Sequence, residues 1–212
     1  MRKFMFILAA FVAFSAPLAN AAGDIAGSEK QIVPILLGTA LPDAPLRTLE
    51  GERTTLHSVV GHEPTVLVFF RGGWCPYCNL QLSELRKVEA DLKKLGYQIV
   101  AVSPDNPDRL RKTKEDQGLK YKLVADDGIA AISAMGIAYK MKEETLRQYE
   151  QAGVKPTQGV LPVPAVFIVD GSGEIQFSYA HPDFRVRVPA QVVLAAARAI
   201  AQHQHKLQPK AE

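Results

Sequence analysis

The chain has 212 residues, with 25 Lys and Arg against 22 Asp and Glu, so its formal net charge is only +3. This near-neutral balance gives no support for nucleic-acid binding. Only two cysteines are present, which excludes a disulfide-rich scaffold.

The N-terminal segment has the three parts of a secretory signal peptide. Arg2 and Lys3 precede an uncharged apolar run over residues 4–14, and Ala19-Asn20-Ala21 fits the small-x-small cleavage pattern. The run is shorter than the ~20 apolar residues of a membrane span; an uncleaved membrane anchor is the alternative. We therefore predict that residues 1–21 are removed, that the protein is exported to the periplasm or the medium without a stable membrane anchor, and that residues 22–212 form one domain.

The rest of the chain alternates between strand and helix patterns. Residues 22–33, rich in Ala, Gly and Ser, are expected to be a mobile lead-in. Strands or short β elements are predicted at residues 41–46, 51–59, 65–70, 97–102, 122–125, 165–169 and 174–179. Helices are predicted at residues 76–95, 107–118, 128–135, 141–152 and 189–205. This alternation predicts an α/β domain with a mixed central sheet flanked by helices.

Both cysteines fall in one C-x-x-C motif, Cys75-Pro76-Tyr77-Cys78. The motif follows an apolar run that predicts a buried strand and precedes a helical pattern, so the thiols lie at a helix N-terminus. Unpaired N–H groups and the positive end of the helix dipole stabilise a thiolate there. Pro76 suits the first turn because it has no N–H to leave unpaired. The pair is therefore predicted to be redox-active.

The two thiols have distinct predicted roles. Cys75, at the start of the helix, is expected to be the more exposed thiol and to attack first, and Cys78 then displaces the mixed disulfide. Trp74 either shields the sulfurs from one side or packs in the core. A metal site is the alternative for the pair, but a structural zinc needs four ligands and no second C-x-x-C exists.

Three segments together resemble the alkyl hydroperoxide reductase/thiol-specific antioxidant family, a peroxiredoxin-like branch of the thioredoxin fold. They are residues 69–78 (FFRGGWCPYC) with Gln81-Leu82, residues 164–170 with Gly173, and residues 183–189 (DFRVRVP). The resemblance extends over residues 38–197. It implies a thioredoxin-like fold and thiol-dependent redox chemistry with no bound cofactor.

The family pattern and the thioredoxin pattern assign different sulfurs as the nucleophile. Peroxiredoxins carry P-x-x-x-T-x-x-C; here Arg71 stands at the Pro position, Cys75 at the Thr position and Cys78 at the peroxidatic position. The thioredoxin pattern W-C-x-x-C instead makes Cys75 the nucleophile. Because Cys75 replaces this Thr, the hydroxyl that would help to orient a peroxide is missing. This argues against efficient peroxide reduction without excluding it.

The resemblance also assigns roles to residues distant in sequence. It implies a cis Val163–Pro164 bond that faces the C-x-x-C and presents the backbone of Val163 to a partner peptide. It also places Arg187 near the reactive sulfur, where its charge would lower the thiol pKa and steady a peroxide; a solvated Arg at the start of a helix is the alternative. Arg71 is a second candidate for this role, and Gln81 is expected to hydrogen-bond near Cys78.

The sequence thus predicts an exported thiol oxidoreductase with a Cys75–Cys78 pair, a redox partner protein and, in one version, a peroxide substrate. Protein disulfide exchange and peroxide reduction both remain open. The alternative from another class is a copper or metal chaperone with His181 as a third ligand. The charged segment Met141–Gly159 is predicted either to border the active-site mouth or to be a solvated surface helix.

Overall fold

The computed structural model describes the backbone of residues 23–207 and the side chains of residues 23–203. The predicted signal peptide, residues 1–21, lies outside these residues. The nine strands are β1 (Pro45–Arg47), β2 (Arg53–Thr55), β3 (Thr65–Phe69), β4 (Gln98–Ser103), β5 (Lys122–Ala125), β6 (Ala138–Lys140), β7 (Val160–Pro162), β8 (Ala165–Val169) and β9 (Ile175–Ala180). The six helices are α1 (Leu56–Val60), α2 (Pro76–Lys94), α3 (Pro107–Asp116), α4 (Ala130–Ala134), α5 (Glu143–Gln151) and α6 (Ala190–Leu207).

Seven strands form one mixed sheet in the order β2-β1-β5-β4-β3-β8-β9. β3 lies near its centre, parallel to β4 and antiparallel to β8, and all five of its residues are buried. A strand buried on both faces is continuously apolar, as the Val66–Phe69 run is. The predicted mixed sheet flanked by helices is therefore confirmed.

Two hydrophobic clusters cover the two faces of the sheet. Val66, Val68 and Phe70 belong to the cluster that includes the apolar sides of α2 and α6. Leu67 and Phe69 belong to the other, with residues of α1 and α4. Alternate residues of β3 thus pack in opposite layers. Phe70, just after β3, packs in the same layer as α2, the helix that begins with the C-x-x-C.

Helix boundaries follow local sequence signals. α2 begins with Pro76 and ends in Lys93 and Lys94, whose charges complement the helix dipole. α3 is capped by Asn106, whose side chain accepts the N–H of Arg109 at 3.0 Å. No helix in residues 23–207 is long and apolar enough to cross a membrane.

Two local expectations were wrong, and one pair of strands was not predicted. The lead-in is hydrogen-bonded to β6. The N–H of Ala26 donates to the carbonyl of Ala138 at 3.0 Å, and the carbonyl of Ala26 accepts the N–H of Lys140 at 2.9 Å. Residues 56–60 form α1 rather than a β element, because Thr55 caps them by accepting the N–H of Ser58. β6 and β7 form a separate two-stranded sheet that the sequence pattern did not predict.

Candidate active site

The turn between β3 and α2 is built from glycines held by a neighbouring carboxylate. Gly72 has φ +152°, which favours glycine, and a Cβ on Gly73 would collide with the side chain of Thr113 in α3. The N–H of Gly73 donates to Asp105 at 2.9 Å, and burial raises the pKa of that carboxyl. These contacts fix the turn so that Cys75 becomes the N-cap residue of α2.

Both thiols are free and buried, with Cys75 1% and Cys78 0% exposed. The hydrogen bond from the Cys78 thiol, aided by the Cys78 backbone N–H and by the charges of Arg71 and Arg187, lowers the pKa of Cys75 to about 5. Burial, with the hydrogen bond to Cys75, raises the pKa of Cys78. The expected order of acidity, with Cys75 the thiolate, agrees with these surroundings. Cys75 was expected to be the more exposed thiol; the difference from Cys78 is only one percentage point, because both sulfurs are buried.

Arg187 contacts the thiol pair from the segment before α6. Its Nη2 donates to Cys78 Sγ at 3.3 Å, its Nη1 to Gln81 Oε1 at 2.8 Å and its Nε to the carbonyl of Phe184 at 2.8 Å. The structure therefore brings together Arg187, Gln81 and Cys78, as the family resemblance implied. The side chain meets Cys78 rather than Cys75, which matters for the choice of nucleophile.

Arg71, whose charge also acts on Cys75, is 2% exposed. Its guanidinium lies against three aromatic rings, 4.3 Å from the centroid of Phe184, 5.2 Å from that of Trp74 and 5.4 Å from that of Tyr149. Its Nη2 donates to the Tyr149 hydroxyl at 2.8 Å. Such contacts stabilise a cation by the ring quadrupoles.

The segment Met141–Gly159 reaches this site through Tyr149 of α5. Besides accepting from Arg71, the Tyr149 ring meets Trp74 edge-on, with centroids 5.1 Å apart. Trp74 therefore packs between the active-site turn and α5 rather than lying freely over the sulfurs. This contact places the charged segment beside the active-site turn, which agrees with the first of its two predicted positions.

The predicted cis Val163–Pro164 bond is wrong, because no peptide bond in the described part of the chain is cis. The pair links β7 to β8 in an extended path: the N–H of Val163 donates to the carbonyl of Ile137 at 3.0 Å, and the carbonyl of Pro164 accepts from His181 at 3.2 Å. An extended path favours the trans isomer, which is the more stable one for X-Pro bonds. Both residues are buried, so the N–H of Val163 is not available to a partner peptide.

His181 does not complete a metal site with the cysteines. Its Nδ1 accepts the N–H of Asp183 at 3.0 Å, and its ring stacks on Tyr179. Within residues 23–207 no three His, Cys, Asp or Glu side chains are grouped as metal ligands. The metal-chaperone alternative therefore gains no support from this geometry.

Sequence reasoning missed Asp105, Tyr149 and Phe184 as neighbours of the thiols. Asp105 follows a predicted strand, where polar residues often reach a site at the end of a parallel sheet, so a signal was present. Phe184 lies in the segment 183–189 that resembles the family, but nothing in that segment indicated its contact with Arg71. Tyr149 gave no signal, because an aromatic residue in a charged helix does not reveal what it contacts.

Comparison with known proteins identifies the lineage. The AhpC/TSA family matches residues 37–178, which is more than half of the chain. The chain belongs to the AhpC/TSA family. A Mycobacterium tuberculosis protein assigned as a peroxiredoxin is 30% identical over 135 residues, covering 64% of this chain and 75% of the relative. Peroxiredoxin Bcp of Escherichia coli is 24% identical over 161 residues, covering 76% and 94%.

A second kind of relative points to the same chemistry. The thiol-disulfide oxidoreductase ResA of Halalkalibacterium halodurans is 31% identical over 93 residues, covering 43% of this chain and 52% of the relative. This AhpC/TSA chain is thus a thiol-dependent oxidoreductase, as predicted.

Solved structures confirm the peroxiredoxin-type thioredoxin fold. Peroxidoxin BcpB of Mycobacterium tuberculosis superposes with a TM-score of 0.61 at 19% identity, covering 77% of this chain and 97% of the other. Reduced Prx3 of Vibrio vulnificus in complex with H2O2 superposes with a TM-score of 0.66 at 20% identity, covering 77% and 99%. At these identities the likeness concerns the fold alone.

Proposed function

We propose that this chain reduces small hydroperoxides by cycling Cys75 and Cys78 between a dithiol and a disulfide. The observation that carries the proposal is the buried thiol pair with Arg187 donating to Cys78 Sγ at 3.3 Å; the hydrogen bond from Cys78 and the charges of Arg71 and Arg187 lower the pKa of Cys75 and favour its thiolate. A thiolate is the nucleophile in this chemistry, and a positive charge stabilises the alkoxide that leaves when an O–O bond breaks.

Burial favours a small substrate over a protein disulfide. A partner disulfide must bring its own backbone to the attacking sulfur, and here the N–H of Val163 is already paired with Ile137. Because Cys75 is only 1% exposed, a substrate must pass through an opening to reach its sulfur. A small hydroperoxide needs a far smaller opening than a polypeptide. Relatives named as peroxiredoxins add support to this choice.

The reaction balances with the two cysteines alone. The Cys75 thiolate attacks the distal oxygen of ROOH, the O–O bond breaks, and Cys75 becomes a sulfenic acid. The leaving RO⁻ takes the proton of the Cys78 thiol and departs as ROH. The Cys78 thiolate then attacks the Cys75 sulfur and expels hydroxide, which solvent protonates, and a disulfide remains. A dithiol supplied by a redox partner protein returns two electrons, so no resident cofactor is required.

A second assignment reverses the two cysteines. Arg187 donates to Cys78 rather than to Cys75, and Cys78 stands at the peroxidatic position of the family pattern. We favour Cys75 because it receives the hydrogen bond of the Cys78 thiol and stands at the N-terminus of α2, whereas burial opposes ionisation of Cys78.

The experiment that tests the substrate measures turnover of H2O2, of a small organic hydroperoxide and of insulin disulfides with the same reduced protein. We expect both peroxides to be reduced in many cycles with a dithiol donor, and insulin to be reduced no faster than by the donor alone. Faster turnover of insulin than of either peroxide would contradict the proposal and favour disulfide exchange.

We also propose that the protein works outside the cytoplasm, on the basis of the signal-peptide pattern of residues 1–21. The native protein should then begin at Ala22 and be recovered from the periplasm or medium. Recovery of a cytoplasmic protein that retains Met1, detected by mass spectrometry, would refute export.

A further inference from the structure

A cavity of about 460 Å³ is lined by Arg71, whereas Arg187 is not among its lining residues. Its walls combine aromatic and apolar side chains with cationic ones. They include Lys30, Lys142, Tyr139, Met141 and Phe184. Lys30 and Lys142 are exposed at the rim, whereas Arg71 is buried and forms the floor.

Arg71 has more donors than acceptors. Of the five N–H bonds of a guanidinium, the one on Nε and the two on Nη1 have no hydrogen-bond partner. The ion pairs among the described residues join other side chains, and none of them involves Arg71. A buried cation without a counter-ion is costly, so this position is suited to receive an anion.

The remaining charges indicate what kind of anion fits. Arg185 and Asp183 also line the cavity, but they pair with each other at 2.7 Å. Glu29, which also lines the cavity, would repel an anion with several negative charges, whereas Lys30 and Lys142 would attract an anion with one. The aromatic and apolar wall fits an organic body, and a planar carboxylate matches a guanidinium edge with two oxygens.

Arg71 also lies close to the thiols. Its guanidinium carbon is 5.2 Å from the ring of Trp74, the residue before Cys75, and the Cys75 thiolate, after the hydroxyls of Tyr139 and Tyr149, helps to raise the pKa of Arg71. Formation of the Cys75–Cys78 disulfide removes the negative charge of the thiolate. An anion in the cavity must therefore compete with the thiolate in the reduced protein but not in the oxidised one.

We propose that the Arg71 cavity binds a monoanionic organic carboxylate, and that it binds this ligand more tightly when the thiol pair is oxidised. The redox part rests on the proposed Cys75–Cys78 disulfide, whereas binding to the reduced protein does not. By reciprocity, the carboxylate favours the uncharged states of Cys75, which are the disulfide and the protonated thiol.

Calorimetric titration with benzoate tests this, with neutral benzamide as the matched probe. We expect benzoate to bind at least about tenfold more tightly than benzamide, and its affinity to rise about fivefold or more on oxidation with diamide. Thiol titration checks that the disulfide has formed. If no disulfide forms, the proposed catalytic cycle is wrong, while benzoate binding to the reduced protein still decides whether the site exists.

Variants identify the residue responsible. Arg71→Met should abolish benzoate binding, Lys142→Gln should weaken it severalfold, and Lys120→Gln, which changes an exposed cation outside the cavity, should leave it unchanged. Lys142→Gln keeps the test valid if Arg71→Met does not fold.

Benzoate should also raise the pH midpoint of Cys75 alkylation. Equal binding of benzoate and benzamide, or an unchanged affinity in Lys142→Gln and Arg71→Met, would overturn the site; equal affinity in both redox states would overturn the coupling.

Discussion

The two arginines beside the thiols differ in how their charge is satisfied. Arg187 donates to Cys78, Gln81 and the carbonyl of Phe184, so each of its three nitrogens has an acceptor and the side chain is held in one position. Arg71 has one acceptor, the Tyr149 hydroxyl, and is otherwise surrounded by aromatic rings. The same charge can therefore serve to orient a sulfur on one side and to attract an anion on the other.

Substitution of either cysteine should have the largest effect on peroxide turnover. Cys75→Ser should lower peroxide turnover by about a thousandfold or more because the nucleophile is lost. Cys78→Ser should also stop turnover but leave one rapid reaction per molecule, with a sulfenic acid trapped at Cys75. Dimedone labelling followed by mass spectrometry measures this, and a sulfenic acid found at Cys78 in Cys75→Ser would reverse the assignment.

Arg187→Met should have the next largest effect. The variant loses the donor to Cys78 and a positive charge beside the reacting oxygens, so the rate constant with peroxide should fall about 10- to 100-fold. Stopped-flow kinetics on the reduced protein provides the measurement. Arg198→Met, an exposed position on α6, is the control and should react like the wild type; a similar rate in both variants would remove Arg187 from the mechanism.

Arg71→Met should change the pH dependence more than the rate at neutral pH. In the wild type the pKa of Cys75 is about 5, so alkylation by iodoacetamide should rise with pH through that value and level off above it. Removal of a cation disfavours the thiolate and moves this midpoint upward, while the rate at pH 7 changes less than about twofold. An unmoved midpoint would show that Arg71 does not act on Cys75.

Tyr149→Phe should have the smallest effect on activity and a measurable one on stability. The ring contact with Trp74 is kept, but a buried Arg71 nitrogen loses its acceptor, so the free energy of unfolding should fall by about 1–2 kcal/mol. Urea unfolding measures the change. Tyr77→Phe, at an exposed tyrosine on α2, should leave it unaltered, and equal stabilities of the two variants would argue against a structural hydrogen bond to Arg71.

Sequence patterns predicted the elements that carry strong local signals. β5 and β8 begin and end where the pattern placed them, because continuous apolar runs between turn residues have few alternative structures. β6 and β7 have only three residues each and no alternation, so their pairing depends on tertiary contacts. The Val163–Pro164 isomer was mispredicted because the dipeptide permits both forms and only its flanking hydrogen bonds select one.

The residues of the candidate site also fall into those that the sequence could predict and those that it could not. Cys75, Cys78 and Arg187 could be predicted, since the first two share a motif and the third lies in a segment that resembles the family. The cage around Arg71 could not, because its aromatic members come from the active-site turn, α5 and the segment before α6. Contacts between parts of the chain this far apart in sequence leave no periodic pattern.

Burial of both sulfurs also bears on how this protein tolerates excess oxidant. A sulfenic acid becomes a sulfinic acid only if a second oxidant molecule reaches it before it is captured. Cys78 lies one helical turn from Cys75 and is hydrogen-bonded to it, so capture requires no unfolding of α2. We expect intramolecular disulfide formation to outrun hyperoxidation, so that the protein stays active at oxidant concentrations that inactivate enzymes with a distant resolving cysteine.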